Sequence, residues 1–146
     1  MFKTSVATRV ISFAVLIAFV LASFPTAATA AETNNKGLER KWASLIDTYN
    51  HQSLIHNSAP RLVEQWLSDH RRAPASKKAQ LQKSLTTSNA AWAPAPSIAM
   101  RHNGFDSNGN VVDKAAAQQS VKDLSQALHR YIRATKNLRA LIRQLK

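Results

Sequence analysis

The last part of the chain, residues 113–146, reads DKAAAQQSVKDLSQALHRYIRATKNLRALIRQLK. Apolar or near-apolar residues recur in it at alternating spacings of three and four, which is the period of a helix face that packs against other helices. The members of this stripe are Val121, Leu124, Leu128, Tyr131, Thr135, Leu138, Ile142 and Leu145. Because neither Gly nor Pro interrupts the segment after Asp113, a favourable N-cap, the pattern predicts one amphipathic helix over residues 114–145.

The opposite side of this predicted helix is cationic. Residues 114–146 contain eight Lys or Arg and a single acid, Asp123. A surface of this kind is typical of the solvated face of a basic protein or of a site that binds an anionic partner. The candidate partner-binding residues are Lys122, Arg130, Arg133, Lys136, Arg139 and Arg143.

Residues 1–30 have the composition of an export signal. Lys3 and Arg9 precede an apolar run, and Ala28 and Ala30 supply a small-x-small cleavage pattern. As a helix, the run over residues 10–24 would span about 22 Å, which is less than the hydrocarbon core of a bilayer. We therefore predict a Sec-type signal peptide that is cleaved after Ala30, which would export the protein to a periplasm or the medium with no transmembrane anchor.

The predicted mature chain, residues 31–146, is long enough for a single domain with one apolar core. The chain contains no Cys, so neither a disulfide nor a lipoprotein anchor is available to it. Removal of Lys3 and Arg9 with the leader lowers the net charge from +12 to +10. Of this charge, residues 114–146 carry +7, which concentrates it on the C-terminal helix.

Three shorter helices are predicted ahead of the C-terminal one, over residues 38–56, 60–71 and 77–88. Pro60 disfavours a helical residue before it, so a break is expected at residues 57–60, and Ser76 is expected to cap the third helix. Residues 31–36 are polar and predicted to form a loose tail. Each early segment carries one Trp, and these are expected to be core anchors that dock it onto the long helix: Trp42, Trp66 and Trp92.

Residues 93–112 show no helical period and are predicted to be an irregular loop. Its Ala-Pro-Ala-Pro start at residues 93–96 is expected to be extended. The dipeptide Asn108-Gly109 lies between Phe105 and Val111, which favours a small hairpin. The predicted fold is therefore all-α, a small bundle of three or four helices organised on one long C-terminal helix.

No catalytic residue, cofactor site or metal site is predicted. Asp106 begins a segment that resembles a calcium loop, but Val111 and Ala117 stand where that motif needs Gly and Glu. No two histidines have the i, i+4 spacing of a helical metal site, and there is no GxSxG motif or Cys nucleophile. The histidines are His51, His56, His70, His102 and His129.

The leading hypothesis is an exported, non-enzymatic helical protein whose basic C-terminal helix binds an acidic protein or an anionic envelope component. One alternative is binding of extracellular nucleic acid, although the basic stripe offers few aromatics for base stacking. Another is a small all-α enzyme that acts on an anionic small molecule. The regular apolar seam also allows an oligomer formed through the C-terminal helix.

Overall fold

The computed structural model describes the backbone of residues 27–145 and the side chains of residues 32–145. Residues 1–26 of the expected signal peptide lie outside this part, so cleavage after Ala30 stays a prediction. The described residues belong to two units, of which the second is Asn35–Lys146 and the first contributes only residues 27–34. The packing of helices concerns the second unit, and only the start of the first helix is described in the first.

The described part of the chain is all-α, as predicted. Its helices are α1 (Ala27–Asp69), α2 (Ala75–Trp92), α3 (Pro94–Arg101) and α4 (Lys114–Gln144). Extended pairing within these residues is limited to one antiparallel bridge, between Phe105 and Val111. Among the described residues, no helix has both the length and the apolar character needed to span a membrane.

The helices α1 and α4 run side by side in the same direction. Leu38 and Trp42, in the first half of α1, share one buried cluster with Leu124 of α4. Further along both helices, Val63 shares a second cluster with Leu138. The helices α2 and α3 follow one another and run antiparallel to α1 and α4. Leu81 belongs to the second cluster, whereas Trp92 and Ala95 belong to the first. The result is an up–down–up arrangement around α4.

The C-terminal helix agrees closely with its prediction. Asp113 caps it, and its carboxylate accepts a hydrogen bond of 3.1 Å from the backbone N of Ala116. Five of the predicted stripe residues are buried, and the other three are half-buried. The residues that α4 buries are Ala117, Ser120, Leu124, Ala127, Leu128, Tyr131, Thr135 and Leu138.

The predicted break at residues 57–60 is wrong, because α1 continues through Pro60. Proline inside a helix removes one backbone hydrogen bond and crowds the preceding turn, at a cost of about 3 kcal/mol. Packing on both sides of it offsets this cost. Before Pro60, His56 stacks on Trp92 with ring centroids 5.1 Å apart, and after it Val63 is 2% exposed in the second cluster. Tertiary packing therefore overrides the local preference.

The start of the predicted loop is also helical, since α3 begins at Pro94. Pro94 and Pro96 both lie in the first helical turn, where backbone N–H groups have no intrahelical acceptor and a missing N–H costs little. The expected cap at Ser76 is wrong as well: α2 begins at Ala75, and Pro74 holds the capping position. The expected tail, residues 31–36, belongs to α1.

The segment between α3 and α4 forms the expected tight turn. Gly109 has a φ of +84°, and the Asp106 carboxylate accepts hydrogen bonds of 2.8 Å from the backbone N of Asn108 and of Asn110. The Asn110 side-chain amide donates a third, and these bonds lower the pKa of Asp106. The turn holds Phe105 against Trp42, with stacked rings 4.7 Å apart.

Candidate anion-binding groove

An open groove of about 720 Å³ runs between the last turns of α1 and the last turns of α4. We name it the C-terminal groove. Since α1 and α4 are parallel, the C-terminal part of α1 lies beside that of α4, and residues almost seventy positions apart in sequence become neighbours. The lining residues are Leu62, Gln65, Trp66, Asp69 and His70 from α1, and Lys136, Arg139, Ile142 and Arg143 from α4.

Three cations form the α4 side of this groove. Lys136, Arg139 and Arg143 follow one another at spacings of three and four, which places them on one helix edge. All three are exposed, and none forms a salt bridge within the described part of the chain. Asp69 is the single carboxylate among the lining residues, so with His70 neutral the groove carries a net charge of +2.

The floor of the groove is apolar. Trp66 is 4% exposed and belongs to the second buried cluster, and Ile142 packs against that cluster. Leu62, by contrast, remains 41% exposed although it is a large apolar side chain. The groove therefore combines an accessible apolar surface with unpaired positive charge, which is the composition that small-molecule and peptide sites use for amphipathic ligands.

Trp66 and His70 form a rigid pair at one end of the groove. Their rings stack with centroids 4.5 Å apart and an interplanar angle of 11°. His70 Nδ1 donates a hydrogen bond of 2.9 Å to the Trp66 carbonyl oxygen, which leaves Nε2 as the nitrogen available to another group. The indole Nε1–H of Trp66 is buried and has no acceptor among the described residues. Because this indole nitrogen is buried, it is not a contact point for a ligand in the groove.

A second groove of about 700 Å³ lies between the same two helices, nearer their beginnings. We name it the N-terminal groove. Three cations, Arg40, Lys41 and Lys122, line it together with Ser44, Leu45, Val121, Ser125 and Gln126. Lys122 precedes Arg139 by 17 residues, so the two grooves are separated by about 25 Å along α4.

The structure divides the six predicted partner-binding residues into three groups. Lys136, Arg139 and Arg143 come together in the C-terminal groove, and Lys122 lies in the N-terminal groove. Arg130 and Arg133 are exposed on α4 but line neither groove. Sequence reasoning missed the whole contribution of α1, because only the parallel register of α1 and α4 brings its residues to these cations.

Comparison of the chain with protein-family models, with curated proteins and with solved structures found no match. The functional assignment of the grooves therefore rests on their own residues and geometry. Within the described residues, no three His, Asp or Glu side chains come together as potential ligands of a metal ion.

A third cavity, of about 720 Å³, adjoins the turn between α3 and α4 and is lined by three carboxylates, Glu39, Asp47 and Asp106. Two of these carboxylates already have structural partners. Glu39 Oε1 accepts a hydrogen bond of 3.0 Å from the backbone N of Val111, and Asp106 accepts those of its own turn. His102, which lies in the left-handed region with a φ of 34°, donates from Nδ1 to the Met100 carbonyl oxygen at 2.8 Å. These groups hold the turn in place, whereas the cations of the C-terminal groove have no such partners.

Proposed function

We propose that this is an exported, non-enzymatic helical protein that binds an acidic partner through its basic C-terminal helix. The partner is an acidic protein or an anionic component of the cell envelope. The observation that carries the proposal is the C-terminal groove, where Lys136, Arg139 and Arg143 form no salt bridge with any other described residue and lie beside an accessible apolar floor. Binding would use the charges for attraction and orientation, and the floor for contact area.

The electrostatic attraction between the groove and its partner depends on how many charges share one edge and on the salt concentration. Exposed charges in water attract weakly one by one, but several of the same sign on one edge raise the local concentration of an oppositely charged partner and speed its association. The Debye length shortens from about 14 Å at about 50 mM salt to about 4 Å at about 500 mM, so salt in this range is expected to weaken binding strongly.

Two features favour an acidic protein or lipid over nucleic acid. Proteins that bind single strands stack bases on accessible aromatic rings, whereas the two rings of this groove, Trp66 and His70, stack on each other and Trp66 is only 4% exposed. In addition, the groove is one cavity with an apolar floor, whereas a nucleic-acid backbone needs a continuous series of phosphate contacts. Retardation of DNA in a gel-shift assay, abolished by reversal of the three groove cations, would contradict this preference.

The proposal is tested by sedimentation of the predicted mature protein, residues 31–146, with the envelope fraction of its own host. The salt concentrations are about 50 mM and about 500 mM. We expect binding at the lower salt concentration and release at the higher one. The variant Lys136→Glu/Arg139→Glu/Arg143→Glu should remain in the supernatant at both. Its helical circular dichroism should match that of the native protein, because all three side chains are exposed.

A matched control changes the net charge equally at exposed cations outside both grooves. Lys83→Glu/Arg101→Glu/Lys114→Glu meets this condition and should retain binding at low salt. If the control variant loses binding to the same extent, net charge and not the groove determines association. If the groove variant still sediments with the envelope, the proposed site is wrong.

A further inference from the structure

We propose that the C-terminal groove binds a single-chain anionic amphiphile whose head group is a phosphate monoester. This inference rests on the proposed function and specifies the chemistry of the partner for the same site. The head group would lie among Lys136, Arg139 and Arg143, and the acyl or alkyl chain would lie along Leu62, Trp66 and Ile142.

The apolar part of the ligand follows from the floor of the groove. Leu62 is a large side chain that stays 41% exposed inside a concave surface, beside the buried ring of Trp66. Purely ionic partners gain nothing from such a surface, whereas an alkyl chain removes it from water. The volume of about 720 Å³ lies within the range of about 300–1,000 Å³ that is usual for sites of small organic ligands.

The head group follows from the charge of the groove. Its three cations and one carboxylate leave +2, with His70 neutral. A phosphate monoester carries about −1.5 to −2 at neutral pH and offers three acceptor oxygens, so it matches both the charge and the number of cations. A fatty-acid carboxylate carries a single negative charge and would leave part of the positive charge uncompensated.

The types and spacing of the cations also favour phosphate. Arg139 and Arg143 are separated by one helical turn, so both guanidinium groups can approach one head group from the same edge. Guanidinium groups bind phosphate oxygens in pairs of parallel hydrogen bonds, and Lys136 adds a mobile point charge on the same edge.

The N-terminal groove provides an internal comparison. It also contains three cations, Arg40, Lys41 and Lys122, but its apolar lining residues Leu45 and Val121 are already packed against the first buried cluster. It lacks a large exposed apolar side chain comparable to Leu62. We therefore assign the amphiphile to the C-terminal groove alone.

The test is isothermal titration calorimetry of the predicted mature protein, residues 31–146, with monododecyl phosphate. The concentration of monododecyl phosphate is kept below its critical micelle concentration. We expect one saturable site per chain with a Kd below about 100 μM at low salt. Dodecanoate should bind about tenfold more weakly, because it carries half the charge, and inorganic phosphate and dodecanol should each bind more weakly still. No saturable binding of monododecyl phosphate up to about 1 mM would overturn the inference, as would equal affinity for dodecanoate.

Variants locate the binding within the groove. Arg139→Glu/Arg143→Glu should weaken monododecyl phosphate binding at least about tenfold, whereas Arg130→Glu/Arg133→Glu, an equal change of charge on the same helix, should leave it within about twofold. Leu62→Gln should weaken monododecyl phosphate binding but not the residual binding of inorganic phosphate. If both double variants weaken the amphiphile equally, or if Leu62→Gln has no effect, the assigned site is wrong.

Failure of this inference differs from failure of the proposed function. If envelope binding depends on the groove cations while monododecyl phosphate does not bind, the amphiphile is excluded and the proposed function stands with an acidic protein as partner. If monododecyl phosphate binds as expected while envelope binding does not depend on the groove cations, the ligand class is supported and the proposed docking role is wrong.

Discussion

His56 stacks on Trp92, with ring centroids 5.1 Å apart, and meets the edge of Tyr131 at 5.8 Å. This contact joins the middle of α1 to the end of α2 and the centre of α4. The Nδ1 atom of His56 is buried and has no hydrogen-bond partner among the described residues, and burial lowers the pKa of the imidazole. The neutral ring is therefore the form that the fold accommodates.

The lowered pKa predicts that the protein loses stability as the pH falls. Below the unfolded-state pKa of about 6.5, the unfolded chain binds a proton at His56 that the folded protein resists, so acid favours unfolding until the folded pKa is also passed. The melting temperature should fall between about pH 7.5 and about pH 5. His56→Phe, which keeps an aromatic ring but cannot be protonated, should show a smaller fall.

The control for this experiment is His51→Gln, which changes an exposed histidine on the same helix. The melting temperature of this variant should change with pH as much as that of the native protein does. Equal pH dependence in His56→Phe and in the native protein would show that other groups cause the acid sensitivity.

A second prediction concerns the buried pair Ser88 and Thr135, whose hydroxyl oxygens are 3.1 Å apart between the two apolar clusters. Ser88 is 0% exposed and Thr135 5%. Ser88→Ala leaves the Thr135 hydroxyl without its partner and should lower the free energy of unfolding by about 1–3 kcal/mol. The double variant Ser88→Ala/Thr135→Val should lose less than the sum of the two single changes, because neither hydroxyl of the pair then remains without the other.

Urea denaturation of the four proteins in this cycle measures the coupling between the two side chains. The Tyr131 hydroxyl lies close to the pair without completing a hydrogen bond of normal geometry, and burial raises the pKa of Tyr131. Strict additivity of the two substitutions would mean that the hydrogen bond contributes nothing to the free energy of unfolding.

A third prediction separates two glycines of the turn between α3 and α4. Gly104 and Gly109 both have positive φ, at +86° and +84°. A Cβ atom on Gly104 would overlap the backbone N of Ala117 at the start of α4, whereas one on Gly109 would meet nothing within 4 Å. Gly109→Ala should therefore lower the free energy of unfolding by only about 1–2 kcal/mol, because of its left-handed backbone conformation. Gly104→Ala should lower the free energy of unfolding clearly more. Thermal unfolding measures both, and equal losses would contradict the close approach of Gly104 to α4.

The long helix and its cap could be predicted from sequence because their signals are local. The three-and-four spacing places Leu124, Leu128 and Leu138 on one face, and Asp113 caps the helix that carries them. The break at Pro60 was predicted from an equally local rule, but the packing of His56 and Val63 on either side of it decides the outcome. Local preference is a weak guide where tertiary contacts lie close by.

The candidate site could be predicted only in part. The sequence placed Lys136 and Arg143 on a cationic edge, but it gave no reason to separate them from Arg133, which lies outside both grooves. That separation depends on which edge of α4 faces α1. It also depends on the parallel register that brings Trp66 and Asp69 alongside, and this register is set by the path of α2 and α3 rather than by any motif.

Binding of an acidic partner by the C-terminal groove is tested most directly with two double variants of α4 that carry the same change of charge. Association with the host envelope fraction is measured across a salt titration for Arg139→Glu/Arg143→Glu, for Arg130→Glu/Arg133→Glu and for the native protein. We predict that the first variant binds at least about tenfold more weakly at low salt, while the second stays close to the native protein. Equal loss in the two variants, or retention in both, would contradict a groove-specific site.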